Sequence, residues 1–472
     1  MQDDDFDSQD ELDDNTVQFV NRFEEMVKNQ DQYFFDVDAL LRITDYYLEN
    51  GEHAKALEVS RYAHVLHPNS FEFLIKQAHL LSLAGQDQRA LEILAEVERI
   101  APFELEIYYL RGNIYNTLGE YKSALDNFHK ALPLVESKDE IFLSIGITYQ
   151  NMLNYDKAIE YLKRSIIANP EYELAMEELT ACYGITGNLK DAASFFQNLI
   201  DEDPYSHIAW YNLGDVNCRL GLYDESLRAF DYCILIREDY MQAYLDQAHV
   251  LALTGQYESA IKRYKQTFDY YKPDAITYFN LAECYEKLEQ MEDARLYYKK
   301  AVKQLPQLAQ AWYGIALTLE YEDRWYEAIH YVRKALEKDN ENGEYWLLLG
   351  DCEYNLNNFI EAEKCYKKVI EDDPGLIEGW MSYAHFLTET GRPEEACEMT
   401  NKGLTIHADS AELNFRQVAN LYASGKVKES YSLLETSLDK GGENISFLFN
   451  LLPQIRDDKN LLSIISSKRF KP

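Results

Sequence analysis

Histidine and cysteine are the residues best able to do chemistry in this chain, and their spacing decides what they can do. His79, His249 and His385 lie whole multiples of 34 residues apart, and so do Cys182, Cys284 and Cys352. Residues that recur at one fixed interval belong to separate copies of a unit. They cannot converge on one metal ion or one catalytic centre. His64 and His67, three residues apart on a helix, could hold a metal weakly, but no third ligand type follows them and a solvated pair is the expectation. No two of the seven cysteines form C-x-x-C. There is no G-x-S-x-G, no phosphate-cradling glycine loop and no H-E-x-x-H. The sequence therefore points to no catalytic residue, no metal and no cofactor, and to a protein that is not an enzyme.

The interval itself is the stronger signal. From His207 to Tyr240 the chain reads as two short helices around Gly221, and steps of 34 land on the same pattern from Val37 to Asn444. Frames begin at Val37, Phe71, Leu105, Asp139, Glu173, His207, Met241, Ala275, Ala309, Gly343, Ile377 and Ala411, with no inserted or deleted residue. Position 20 of the frame is always alanine or serine, from Ala56 to Ser430, which lets neighbouring helices approach closely. Position 8 is small too, as in Gly112, Gly146, Gly214 and Gly350. Position 4 carries the large partner, including Trp210, Trp312, Trp346 and Trp380, read as core packing. Position 15 is glycine in eight frames and ends the first helix by accepting positive φ; proline at position 32 stops the second.

This spacing resembles the tetratricopeptide repeat, and the resemblance covers residues 37–444. It implies an all-α, right-handed superhelical solenoid whose first helices line a concave groove. In such proteins positions 2, 5, 6, 9, 12 and 13 of each frame contact an extended peptide or a partner helix. The carboxylate-clamp version of that groove is not matched: Asn113 fills one slot, but position 5 of its frame is Tyr109 and paired lysines are missing. Asn212 and Asn280, at position 6, match asparagines that bond a peptide backbone in ladder-type members. Through repeats six to ten the groove positions hold the acids Asp215, Asp246, Glu283, Glu286, Glu320, Glu344 and Asp351, against Arg219 and Lys287 as the basic residues. The same positions hold Tyr211, Leu245, Phe279, Tyr313, Tyr321, Leu347 and Tyr354. Aromatic anchors ringed by carboxylates suit a basic, hydrophobic peptide or helix. The alternative is that the rings cover seams between repeats and the acids are ordinary solvated charge.

The formal net charge of −36 repels nucleic-acid phosphates and anionic membrane surfaces. An odd, scattered cysteine set suits a reducing compartment, and neither a secretory signal nor an apolar run of membrane-spanning length is visible. A cytoplasmic location is the expectation. Residues 1–14, with eight carboxylates and no basic residue, read as a disordered acidic tail. Residues 15–36 carry Val17, Val20, Phe23 and Val27 at helical spacing and read as a capping helix. Residues 445–472 read as closing helices with a short basic end. The functional expectation is a non-catalytic scaffold or adaptor that binds a protein or peptide, with no nucleic acid and no membrane insertion. A chaperone-like holder of unfolded or export-bound clients and a regulatory subunit of an enzyme complex are the alternatives.

Overall fold

A computed structural model describes residues 4–29, 32–439, 445–451 and 458–469. The described residues are helical throughout apart from turns, and two compact units divide them, Met1–Arg237 and Glu238–Pro472.

In the first unit the helix α1 (Asp4–Asn29) is followed by six helix pairs, from α2 (Val37–Glu49) and α3 (His53–Leu66) to α12 (His207–Arg219) and α13 (Tyr223–Ile236). Five of the six pairs start on a frame boundary; the second starts one residue later, at Glu72. Val20, Phe23 and Met26 of α1 are buried, with the Phe23 ring against Phe35 and Tyr62 at 5.9 and 5.8 Å. Tyr47 Oη and Lys55 Nζ donate to Glu24 Oε1 at 3.0 and 3.2 Å. Helix α1 begins at Asp4, within the acidic stretch of residues 1–14.

In the second unit six more pairs follow. Their first helices are α14 (Met241–Leu253), α16 (Ala275–Lys287), α18 (Ala309–Glu320), α20 (Gly343–Asn355), α22 (Ile377–Glu389) and α24 (Ala411–Ala423). Their second helices are α15 (Tyr257–Gln266), α17 (Met291–Gln304), α19 (Trp325–Leu336), α21 (Phe359–Asp372), α23 (Pro393–Ile406) and α25 (Val427–Asp439). Two short helices, α26 (Ile445–Leu451) and α27 (Lys459–Arg469), come last. Their Leu448, Leu461 and Ile465 are buried in one cluster with Phe415, Val418 and Leu434. The glycine pair at 441–442 and residues 470–472, with Lys471, lie outside the described residues.

Every frame closes in the same way. The position-20 residue is 0% exposed in all twelve, so a larger side chain has nowhere to go. At position 8, a Cβ added to Gly112 or Gly214 would lie 2.5 or 2.6 Å from the ring of Phe128 or Phe230, at position 24 of the same frame. Where position 20 is serine, its hydroxyl bonds the position-8 carbonyl: Ser226 to Gly214 at 2.7 Å and Ser430 to Val418 at 2.8 Å. Polar residues at position 7 reach back to the preceding repeat, Gln77 to the Ser60 carbonyl and Arg111 to the Leu94 carbonyl.

Position 15 is left-handed in all twelve frames. Eight are glycines with φ between 70° and 79°; the other four are Leu153, Glu289, Asp323 and Asn357, with φ of 57° to 61°. The tryptophans do more than fill the core. The indole N–H of Trp210, Trp312 and Trp380 donates to the carbonyl of Pro204, Pro306 and Pro374, at 2.9, 2.9 and 3.0 Å. Trp346 does the same to Asn340 at 2.8 Å. Each ring latches its repeat to the end of the one before it.

Candidate partner-binding groove

The residues expected to form the groove fall in both units. Tyr211, Asn212 and Asp215 lie on α12 in the first. Tyr211 is half-buried against Phe230, and Asp215 pairs with Arg219 at 2.9 Å. Asn212 is 3% exposed. Its amide donates to the Ile208 carbonyl at 2.9 Å, and its oxygen accepts from Thr180 at 3.1 Å. Those bonds hold it in the joint with the preceding repeat, so it is placed as a tie between helices. Spacing alone could not foresee this, because the same residue type at the same position can point either way once a threonine stands opposite.

The rest lie in the second unit, on α14, α16, α18 and α20. A cavity of about 260 Å³ opens between α14, α15 and α16. Its walls include His249, Tyr257, Tyr264, Asn280, Glu283 and Lys287. Asn280 is half-buried there, beside the Tyr264 hydroxyl. Asp246 accepts from Gln242 on its own helix at 3.2 Å. Phe279 packs against Tyr298 at 5.7 Å and Tyr313 against Tyr345 at 4.8 Å, both with part of the ring open. Leu347 and Tyr354 lean on the cluster around Tyr366, Tyr383 and Phe386, so they serve the seam as well as the groove.

The electrostatics set four carboxylates apart. Glu283, Glu286, Glu320 and Asp351 make no ion pair among the described residues, whereas Glu322, Glu327, Glu353 and Glu363 do. All four have raised pKa values. Desolvation is the first cause each time, joined by Glu286 beside Glu283 and by Asp323 beside Glu320. Asp351 is pushed up to about 6 by burial; its hydrogen bond from Tyr366 works the other way, and the charge of Glu320 adds to the rise. Glu286, Glu320 and Asp351 are half-buried while Glu283 is exposed at the rim, and a carboxylate held partly out of water gains most from an arriving cation.

Two contributors were missed on sequence. Tyr298 Oη donates to Glu286 and Tyr366 Oη donates to Asp351, each at 2.8 Å, from the second helices α17 and α21. The signal was available: position 24 is phenylalanine in Phe128, Phe196 and Phe230 but tyrosine in Tyr264, Tyr298 and Tyr366. A hydroxyl added to a core ring needs an acceptor, and the groove carboxylates supply it.

His67 and His79 behave as structural residues. His67 Nε2 lies 2.9 Å from the Phe35 carbonyl, and His79 has its pKa lowered, first by burial and then by Lys76. Burial pushes the thiols of Cys233, Cys284, Cys352 and Cys365 up to about 12, far from reactive thiolates. No helix among the described residues is long and apolar enough to cross a membrane.

Three tetratricopeptide repeat profiles match residues 105–133, 143–207, 186–234, 245–309 and 321–385, together more than half of the chain. The chain belongs to the tetratricopeptide repeat family. One relative is the TPR repeat-containing protein YpiA of Bacillus subtilis, 22% identical over 375 residues, covering 78% of this chain and 87% of that protein. Another is the anaphase-promoting complex subunit CDC16 of Saccharomyces cerevisiae, 20% identical over 346 residues; the match covers 71% of this chain but only 39% of that subunit. Among solved structures, the hetero-tetramer Cut9–Hcn1 matches at 13% identity and a TM-score of 0.37, over 88% of this chain and 98% of that one. Tetratricopeptide repeat proteins act as protein-interaction scaffolds, and the repeat fold found here is of that kind.

Proposed function

We propose that the chain is a non-catalytic scaffold or adaptor, and that its second unit holds a basic, hydrophobic peptide or helix of a protein partner along α14 to α20. The observation that carries this reading is the set of four carboxylates without ion pairs among the described residues, Glu283, Glu286, Glu320 and Asp351, set among the half-open rings of Phe279, Tyr313 and Tyr354. Lysine or arginine side chains would neutralise the first set while apolar side chains cover the second. That the relative CDC16 is a subunit of a complex fits a scaffold.

The test is direct binding of three labelled peptides: one alternating lysine with aromatic residues, its glutamate-for-lysine counterpart, and a neutral version. The basic peptide should bind at least tenfold more tightly than the other two. A variant carrying Glu283→Gln, Glu320→Gln and Asp351→Asn should lose that preference while keeping its helical spectrum. Equal binding of all three peptides, or an unchanged preference in the variant, overturns the proposal.

A further inference from the structure

A large ring at frame position 4 lies beside the second helix of its own repeat, and that helix usually covers it. Phe142, Tyr278 and Trp312 meet the position-23 tyrosines Tyr161, Tyr297 and Tyr331 at 6.1, 6.1 and 6.0 Å. Lys334, at position 26, adds its ammonium 4.5 Å from the Trp312 ring. Trp210 stacks on Tyr232, also at position 26, at 4.5 Å. Trp380 is 5% exposed and pressed against Gly403 of α23.

Trp346 on α20 has lost both kinds of cover. Position 23 of its frame is Cys365, too short to reach over an indole. Position 26 is Lys368, whose ammonium lies 2.8 Å from Asp372 instead. Neither a ring nor a cation stacks on Trp346 among the described residues, and a cavity of about 590 Å³ opens beside it between α19, α20 and α21. Its floor is Leu336, Leu349 and Cys365, all buried. The indole N–H is already taken by the Asn340 carbonyl, so what the cavity is offered is the face of the ring.

This cavity is not part of the groove. On α20 it uses Trp346, Leu349 and Glu353, at frame positions 4, 7 and 11, whereas the groove uses positions 2, 5, 6, 9, 12 and 13. Most of the charge at its mouth is spoken for. Arg333 pairs with the buried Glu353 at 3.0 Å, and Lys364 with Glu361 at 2.7 Å. Glu337, the residue after α19, is exposed and makes no ion pair among the described residues. It stands at the negative end of that helix's dipole, so this one point of the rim favours a cation.

We propose that the cavity is a second docking site, which takes one aromatic side chain of a partner protein with a basic residue next to it. The ring lies on Trp346, in the place that Tyr331 fills in the preceding repeat, and the neighbouring cation meets Glu337. An aromatic anchor in a pocket with a polar rim is where protein interfaces concentrate their binding energy. The groove stays free, so one chain can hold two segments at once.

The test reads Trp346 itself. The full chain is labelled with fluorotryptophan, and the Trp346 fluorine resonance is assigned by its loss in Trp346→Phe. Three capped dipeptides are then titrated: acetyl-Trp-Lys-amide, acetyl-Trp-Glu-amide and acetyl-Leu-Lys-amide. The first should shift the resonance to saturation, the second should bind several-fold more weakly, and the third should leave it in place. Cys365→Tyr, which restores the ring found at this position in three other frames, should abolish the shift. Glu337→Gln, a change at an exposed residue, should weaken acetyl-Trp-Lys-amide several-fold. The triple groove variant, Glu283→Gln with Glu320→Gln and Asp351→Asn, should keep the shift. The proposal is overturned if neither tryptophan peptide gives a saturable shift, if the leucine peptide gives the same one, or if the shift survives in Cys365→Tyr. Equal binding of the two tryptophan peptides refutes the role of Glu337, and loss of the shift in the groove variant refutes a separate surface.

Discussion

The Tyr366 hydroxyl donates to Asp351 Oδ1 across 2.8 Å, and the pKa of Asp351 is still raised to about 6. A hydrogen bond to the ionised form lowers a carboxyl pKa, so the burial of this one outweighs its best partner. The groove keeps a charge at neutral pH that the folded chain would be more stable without.

Asp351→Asn should therefore stabilise the chain at pH 7.5. The folded-state pKa lies above the unfolded one, so the folded chain holds the extra proton. The resulting stability is complete below about pH 4 and is lost as pH rises through about 6, by roughly 1–3 kcal/mol. Thermal unfolding of the parent should weaken between pH 5 and 7.5 more steeply than that of the variant. Parallel pH profiles would refute this account. If the groove takes cations, the basic peptide should also bind more weakly below pH 6, and the same variant should flatten that dependence.

Leu153 holds φ of 57° with its side chain 73% exposed, so it bears the cost of a left-handed turn without packing in return. Leu153→Gly should raise stability by roughly 0.5–1 kcal/mol, the relief of strain exceeding the added freedom of the unfolded chain. Asn357→Gly should gain less, because asparagine tolerates this conformation. Denaturant midpoints of the two variants give the comparison; a loss in Leu153→Gly would contradict it.

Ala260 is 0% exposed where the two helices of its repeat meet, while Lys262 on the same helix α15 is exposed. Ala260→Leu should cost roughly 1–3 kcal/mol through overpacking. Lys262→Leu should cost far less. Similar melting shifts for both would show that the joint has slack.

Phe279 and Tyr313 are the aromatic anchors in the groove reading, and Glu283 is its open charge. Truncating both rings to alanine should speed dissociation of the basic peptide and cost about 2 kcal/mol of binding. Glu283→Lys should chiefly slow association and reduce its salt dependence. Stopped-flow traces separate the two effects. Rates unchanged in both variants would move the search for a binding surface off these helices.

The repeat was legible because one structural requirement is met by one residue type at one interval. Alanine at position 20 and glycine at position 15 each answer to a single steric demand, so the twelve helix pairs start within one residue of where the spacing puts them. The groove was less so. Asp351 and Glu283 were found as acids, but their raised pKa values depend on walls built by other repeats. Asn212 was read as facing a ligand, yet Thr180 turns it inward. Leu153, Glu289, Asp323 and Asn357 hid the same turn that the glycines announce, because backbone shape imposed by both neighbouring helices leaves no mark on a residue that merely endures it.

The indole latch has a consequence for how the chain can change. Its acceptor is a main-chain carbonyl, which every amino acid brings, and Asn340 serves as well as Pro306. No substitution at the receiving position can remove it, so the fastening tolerates error on one side and depends on a single ring on the other. Drift at residues 204, 306, 340 and 374 is thereby decoupled from the integrity of the stack.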